Sequence, residues 1–443
     1  MSHIQRPKTI LSRYGGWLPS HPAIHESFLD HHVGHARRKV AQDADHSTAA
    51  VQAFGAAIKA DPEMVALFED IFDQASGENK ITSLDMLLHA FDNVVEKPPA
   101  FHIAEDDDGN VIGEPVGVPL YVLFDLLGNT TAAYDLFRKP AFNVELKKLL
   151  DSWGEFLTTP ASAKCLHDGP EGWFSSAAIS SMEAGGRGRF EDTWVCPDPS
   201  LPSKGYKSWD EFFIRKYIPG TRPLIPASDP ARQDFILYSA CESTVYHITD
   251  NVKRHDRFWL KAQTYSIQNM IRDPEVAEML NGGTVYQAFL SPQDYHRWHA
   301  PISGTIVRAD VIPGTYYAVL PDEGAPEDDP DLKPGQPHGA MIRSQGWLTT
   351  TSSRAIIYIQ SDNPDIGLMV FIGVGMAEVS TTSISVNTGD RVQAGDELGC
   401  FRFGGSSHAL IFGPQIDIKW ADGVEVDKHQ LVHSVIGEIH LKN

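Results

Sequence analysis

The feature that most limits the fold of this 443-residue chain is a change in its hydrophobic rhythm. Early on, apolar residues recur at helical spacing. Ala53, Phe54, Ala57 and Ile58 share one face. After the start signal Asp61-Pro62, the stripe Met64, Leu67, Phe68, Ile71 and Phe72 repeats it. Further helices are expected from Ser83 to Val95, ending before Pro98-Pro99, from Leu120 to Leu127, and from Leu146 to Leu157. Beyond Asp234 the rhythm shortens. Runs rich in β-formers cover Ile236 to Tyr238, Thr284 to Leu290, Gly304 to Val311, Ala355 to Gln360 and Leu368 to Val374, with turns between them. Two such textures cannot share one regular lattice, so the expected class is α+β. A helical N-terminal domain spans residues 1–170, a connection 171–205, and a β-rich domain 206–443. The connection is inferred from the Gly, Pro and Asp content between Gly185 and Gly205.

Charge and cysteine content narrow the partners. Acids outnumber bases 58 to 37, a net charge of -21. Such a surface repels phosphate backbones and anionic headgroups, so nucleic acid is not expected as a partner. Cys165, Cys196, Cys241 and Cys400 are far apart and form no CxxC pair, which argues against a zinc site and a disulfide framework. No stretch reaches the ~20 apolar residues of a membrane span. The longest apolar run, near Ile366 to Ala377, reads as a buried strand. The start of the chain carries Arg6, Lys8 and Arg13 and no acid before Glu26, as a mitochondrial presequence would. Pro7, Gly15, Gly16 and Pro19 break the amphipathic helix such a leader needs, so the cytoplasm is expected.

Two further segments carry bland and sharp readings side by side. The acidic, Pro-rich loop from Pro321 to Gly339 holds Asp322, Glu323, Glu327, Asp328, Asp329 and Asp331. Solvation explains such a charge run; a calcium ion is the sharper alternative, although the spacing matches no EF-hand. Gly389 to Gly399 reads as two turns flanking a strand, a pattern also found in biotin and lipoyl carriers. It has no modifiable lysine in a hairpin between half-motifs, so a non-catalytic carrier domain is the weaker reading.

The chemistry concentrates in two places. Phe401-Arg402-Phe403-Gly404-Gly405-Ser406-Ser407 contains a Gly-Gly-Ser-Ser run, which alone is an ordinary turn. A serine hydroxyl there could attack the preceding carbonyl if a base stood near and the oxyanion were held. Ser291-Pro292-Gln293-Asp294-Tyr295-His296-Arg297-Trp298-His299-Ala300-Pro301 offers two histidines three residues apart in an aromatic setting, suited to acid–base work near neutral pH. A structural pair or a metal pair would look the same, but no third ligand has motif spacing, so no metal is expected.

With Phe212-Phe213-Ile214-Arg215, Arg222-Pro223 and Lys261-Ala262-Gln263-Thr264-Tyr265-Ser266-Ile267, these segments resemble, in order and spacing, the phosphatidylserine decarboxylase family over about residues 205 to 440. The helical half resembles the extension of fungal members, which include soluble L-tryptophan decarboxylases of the psilocybin-pathway type; Gly16-Trp17-Leu18, Gly172-Trp173 and Asp294-Tyr295-His296-Arg297-Trp298-His299 carry this second likeness. The resemblance implies a self-processing enzyme. His299, oriented by Glu242, deprotonates Ser406, and the chain is cut between Gly405 and Ser406. Ser406 becomes a covalent pyruvoyl cofactor, the electron sink that pyridoxal phosphate supplies elsewhere. His296 then handles the substrate carboxylate or returns the proton. The family's Ala-Asp-Gly is Ala240-Cys241-Glu242-Ser243 here, so Glu242 stands where an aspartate is usual. The implied partners are a small-molecule amino acid and the chain's own cleaved fragment 406–443, without stable membrane insertion; a homo-oligomer stays open. Decarboxylation of a free aromatic L-amino acid, tryptophan to tryptamine and CO2, is the expected activity. The alternative is a phosphatidylserine decarboxylase making phosphatidylethanolamine.

Overall fold

The computed structural model describes residues 17–19, 21–106, 108–255, 266–329, 333–378 and 381–442. The basic N-terminal residues, Gly16, the block 261–265 and Asp331 lie outside them.

The helical half forms as its stripes demand. α1 (Pro22–Ala41), α2 (Ala49–Lys59), α3 (Pro62–Gln74) and α4 (Leu84–Val95) come first. Asp61 caps α3 by accepting the Glu63 and Met64 amides at 2.9 and 3.3 Å; Ser83 caps α4 through Met86 N at 3.2 Å. A hairpin of β1 (Phe101–Glu105) and β2 (Val111–Pro115) follows, then α5 (Pro119–Gly128), α6 (Thr131–Leu136) and α7 (Pro140–Leu157). α1, the hairpin and the six-residue α6 were not expected. α1 is weakly amphipathic and rich in histidine, and the hairpin is short. Segment 171–205 is more than a bare connection: Trp173, Phe174, Phe190 and Trp194 are buried in it, and it holds a helix at Ser176–Glu183.

The second half is built on an eight-stranded antiparallel sheet. Its strands are β4 (Ser243–Val252), β5 (Gly283–Leu290), β7 (Gly304–Ile312), β8 (Arg354–Ser361), β9 (Leu368–Gly375), β11 (Arg391–Val392), β13 (Ser406–Phe412) and β15 (His429–Gln430). The order is β11-β7-β8-β9-β13-β5-β4-β15. Two small sheets pack with it: β10 (Thr381–Ile384), β12 (Glu397–Arg402) and β6 (Arg297–His299), and β14 (Ile416–Trp420), β16 (Val435–Leu441) and β3 (Ile236–Tyr238). The sheet separates two cores. Along β13, Ala409 and Ile411 join the core shared with the helices, whereas Leu410 and Phe412 join the core under the small sheets. This is the two-residue alternation of a strand buried on both faces. The helical core is continuous from Trp17 through Phe213 to Ile411, so the α-helices cover one face of the eight-stranded sheet. No helix among the described residues is long and apolar enough to cross a membrane.

In the acidic loop, Asp322 is engaged by Arg343, by Asn129 Nδ2 at 3.0 Å and by Gly324 N at 3.0 Å, and no cluster of three metal-ligating side chains forms within the loop among the described residues.

Candidate active site

The turn between β12 and β13 carries Gly405 and Ser406, the pair singled out in the sequence. Gly404 takes φ +97°, open to glycine at little cost, and Phe403 φ +26°, unusual for a bulky residue. Ser406 then enters the sheet between β5 and β9, opposite Leu290 and Gly375. Its Oγ is buried without a hydrogen-bond partner, as is that of Ser407. The Gly405 carbonyl accepts the Met376 N–H at 2.9 Å. A fully buried serine hydroxyl with nothing to bond, beside a carbonyl already held by a backbone donor, costs stability unless chemistry uses it.

The two motif histidines go to different surroundings. His296 is fully buried, stacked on Phe213 at 3.8 Å with Trp17 edge-on at 5.9 Å, and both of its ring nitrogens are without partners. Burial, with Arg215 adding to it, lowers its pKa to about 3, so the ring is neutral near pH 7. Trp17 Nε1 donates to the carbonyl of Leu290, the residue opposite Ser406. His299 sits on β6, anchored by its amide to Ala240 O at 2.8 Å. Its Nδ1 faces Gly395 O at 2.7 Å and its Nε2 faces Tyr295 OH at 3.0 Å. A carbonyl only accepts, so Nδ1 carries the proton and the Nε2 lone pair accepts from the tyrosine. Burial, reinforced by His433, lowers the His299 pKa to about 4.

Glu242 is not hydrogen-bonded to His299. Its carboxylate, fully buried, is held by Arg222 through Nε and Nη2 at 3.1 Å each, by Tyr217 OH and by Val432 N at 3.4 Å. Tyr217 packs on Tyr295 at 4.3 Å, so two tyrosines stand between the carboxylate and the imidazole. The direct orienting contact expected between Glu242 and His299 is therefore replaced by a Glu242–Tyr217/Tyr295–His299 chain. The paired cation explains why: Arg222 gives the buried carboxylate its counter-charge.

Three groups escaped the reading of the sequence. Asp294, fully buried, accepts Arg187 Nε at 2.6 Å, His429 Nε2 at 3.0 Å and Ser291 N at 2.7 Å. Although burial opposes it, this company holds the carboxyl well below the usual range. Its signal was a lone acid between Gln293 and Tyr295 in an aromatic motif. Glu378 follows β9. Its Oε1 accepts the Leu120 and Tyr121 amides at the start of α5, 2.6 and 2.9 Å away, while its Oε2 is buried without a partner and burial pushes the pKa up to about 8. His408 lies two residues after Ser406 on β13, buried, with neither ring nitrogen bonded. A histidine inside an apolar run was the signal there.

These features carry the comparisons with known proteins. Residues 209–434 match a family model described as phosphatidylserine decarboxylase, and residues 48–182 match a second model of the same description. Decarboxylase iboD of Amanita muscaria is 49% identical over 350 residues, 79% of this chain and 99% of that protein. The L-tryptophan decarboxylase of Psilocybe cubensis is 31% identical over 89% of this chain and 87% of its own. Phosphatidylserine decarboxylase proenzyme 3 of Schizosaccharomyces pombe is 30% identical over 49% of this chain and 20% of its own. The chain is a carboxy-lyase and belongs to the phosphatidylserine decarboxylase family.

Proposed function

We propose that this protein is a self-processing, pyruvoyl-dependent decarboxylase of a free aromatic L-amino acid, with L-tryptophan, giving tryptamine and CO2, as its substrate. The observation that carries the self-processing part is the buried, unpartnered Ser406 Oγ beside a Gly405 carbonyl held by Met376 N–H.

In this reading Ser406 Oγ attacks the Gly405 carbonyl carbon, and the Met376 amide steadies the oxygen that gains charge. The Gly405–Ser406 C–N bond breaks as an ester forms. Loss of the Ser406 α-proton then expels Gly405 as a carboxylate and leaves dehydroalanine, which water converts to a pyruvoyl group with release of ammonia. His299 is the base for the first step. Its neutral state and Nδ1-protonated tautomer put the basic lone pair on Nε2, which accepts from Tyr295 OH and takes a proton through that hydroxyl or after it moves aside. A pyruvoyl group at position 406 would supply the electron sink for loss of CO2. His296, neutral and unbonded on both nitrogens, handles the substrate carboxylate or returns the proton.

Support for an aromatic substrate comes from the Psilocybe proteins named L-tryptophan decarboxylase, at 31% and 32% identity over 89% of this chain. A cavity of about 270 Å³ has Phe28, Phe101, Pro119 and Trp153 in its wall, although Ser406, His296 and His299 do not line it. Trp153 packs edge-on to Phe403, in the turn before Ser406, at 6.2 Å. Aromatic walls with a few polar groups suit an indole. In the same reading, residues 206–443 are the catalytic unit and the enzyme works in the cytoplasm.

The test is a substrate panel scored by amine formation and CO2 release. Turnover of L-tryptophan with phosphatidylserine liposomes ignored is expected. Faster release of CO2 from phosphatidylserine than from any free amino acid would overturn the substrate and leave the processing chemistry standing.

A further inference from the structure

Away from the active site, three segments distant in sequence bring His25 on α1, Asp125 on α5 and His338 of the acidic loop together. One potential ligand atom of each lies within 4.8 Å of the other two. Asp125 is buried and accepts Tyr121 OH at 3.1 Å, Gly339 N at 3.0 Å and His338 Nδ1 at 2.9 Å. The far nitrogen of His338, Nε2, stands 3.6 Å from Glu78 Oε2. His25 meets His338 edge-on with ring centroids 4.3 Å apart, and its Nε2 is buried with no hydrogen-bond partner. The cluster opens on a cavity of about 620 Å³ lined in part by His25, Glu78 and His338.

We propose that His25, Asp125 and His338 bind a divalent transition-metal ion of the zinc type, with water from the cavity in the fourth position. Two imidazoles and one carboxylate suit zinc rather than calcium or magnesium, which take oxygen ligands. The ion takes the place of the proton now shared by His338 Nδ1 and Asp125. Glu78 Oε2, 3.6 Å from His338 Nε2 and accepting Gln336 Nε2 at 3.3 Å, is near enough to close on the ring and fix it once metal binds, as outer carboxylates do at histidine-bound metals. The other two candidate clusters fit less well. Asp92, beside His46 and His89, is bonded to the Ser47 and Thr48 amides and Thr48 Oγ much as Asp125 is to its own donors, but its imidazole nitrogens stand 3.4 and 3.9 Å away, against 2.9 Å between His338 and Asp125. Glu242, Asp294 and His429 already hold Arg187 and Arg222, whose charge opposes a cation. Bound metal would staple α1 and α5 to the loop that leads into Ala340–Arg343.

The test uses the full-length purified protein, stripped with a chelator and titrated with Co2+ followed by visible absorption, then with Zn2+ as competitor. One equivalent of Co2+ with the intense bands of a four-coordinate site is expected, displaced by Zn2+, and Zn2+ should raise Tm. His25→Ala should abolish the bands, Glu78→Gln should weaken binding by roughly 10–100-fold, and His89→Ala should leave binding unchanged. No stoichiometric uptake by the wild type, uptake equal in His25→Ala, or loss in His89→Ala instead would overturn the assignment. Circular dichroism and metal-free Tm show whether each variant folds; if His338→Ala does not, His25→Ala decides.

Discussion

Replacing Asp294 by asparagine removes one charge from a carboxylate with three partners beside the site. The side chain is fully buried and is bonded to Arg187, His429 and the Ser291 amide. Asparagine keeps the shape but leaves the Arg187 guanidinium, itself largely buried, without its counter-charge. Removing one partner of a buried pair costs about 3–5 kcal/mol. Unfolding entropy of about 2.1 cal/mol/K per residue gives about 0.9 kcal/mol/K for a chain of this length if it melts as a unit, so Asp294→Asn should lower Tm by about 3–5 °C. The sign with pH follows from the depressed folded pKa. The contribution is fully present above the unfolded aspartate value of about 3.9 and is lost only as pH falls through the lower folded value. The assay is thermal melting of wild type and Asp294→Asn at pH 7, 6 and 5. A Tm gap that is absent at pH 7, or that closes by pH 5, would falsify the view of Asp294 as the charged centre of this cluster.

Other outcomes follow from the same geometry. Ser406→Ala should remain a single inactive chain, whereas intact mass spectrometry of the wild type should show a second chain of 38 residues, 406–443; a wild type that is active only at full length refutes the processing step. His299→Ala should block cleavage, and His296→Ala should cleave but decarboxylate about 10²–10⁴-fold more slowly; the reverse pattern on gels and in CO2 release means the roles are exchanged. Because the pKa values of His299 and His296 are lowered to about 4 and about 3, loss of their neutral forms should not limit processing between pH 5 and 8. A processing rate that tracks a group titrating near 6.5 in this range argues against a buried neutral base. In stability the same histidines act in the same direction as Asp294 but in a higher pH window: below the unfolded value of about 6.5 the unfolded chain binds more protons, so acid should destabilise the fold from there down to the lowered folded values.

Much of this was legible because it is periodic or local. The stripe from Met64 to Phe72 and the cap at Asp61 define α3 without tertiary help, and the β-rich runs around Thr284 and Leu368 became β5 and β9. The Gly405–Ser406 turn and the two histidines were found as motifs. What escaped was set by contacts distant in sequence. Asp294 gains its meaning from Arg187 and His429, which lie 107 and 135 residues away. Glu242 reads as the partner of a histidine until Arg222 folds against it. Segment 171–205 has the composition of a linker, yet Trp173 and Trp194 give it a core.

The position of β13 bears on what a cut at Gly405–Ser406 would leave behind. Fragment 406–443 would own β13, hydrogen-bonded on both sides by β5 and β9, and β14, β15 and β16 as well, so it would hold strands in two sheets. Such a piece has no independent core and could not be exchanged in solution like a subunit. Folding would have to precede the cut, and once unfolded the two chains would have to find each other by collision rather than along one backbone. Refolding yield of the mature enzyme should then fall on dilution, whereas that of uncut Ser406→Ala should not. The processed protein would be held in its working state by a slow escape rate as much as by its equilibrium stability.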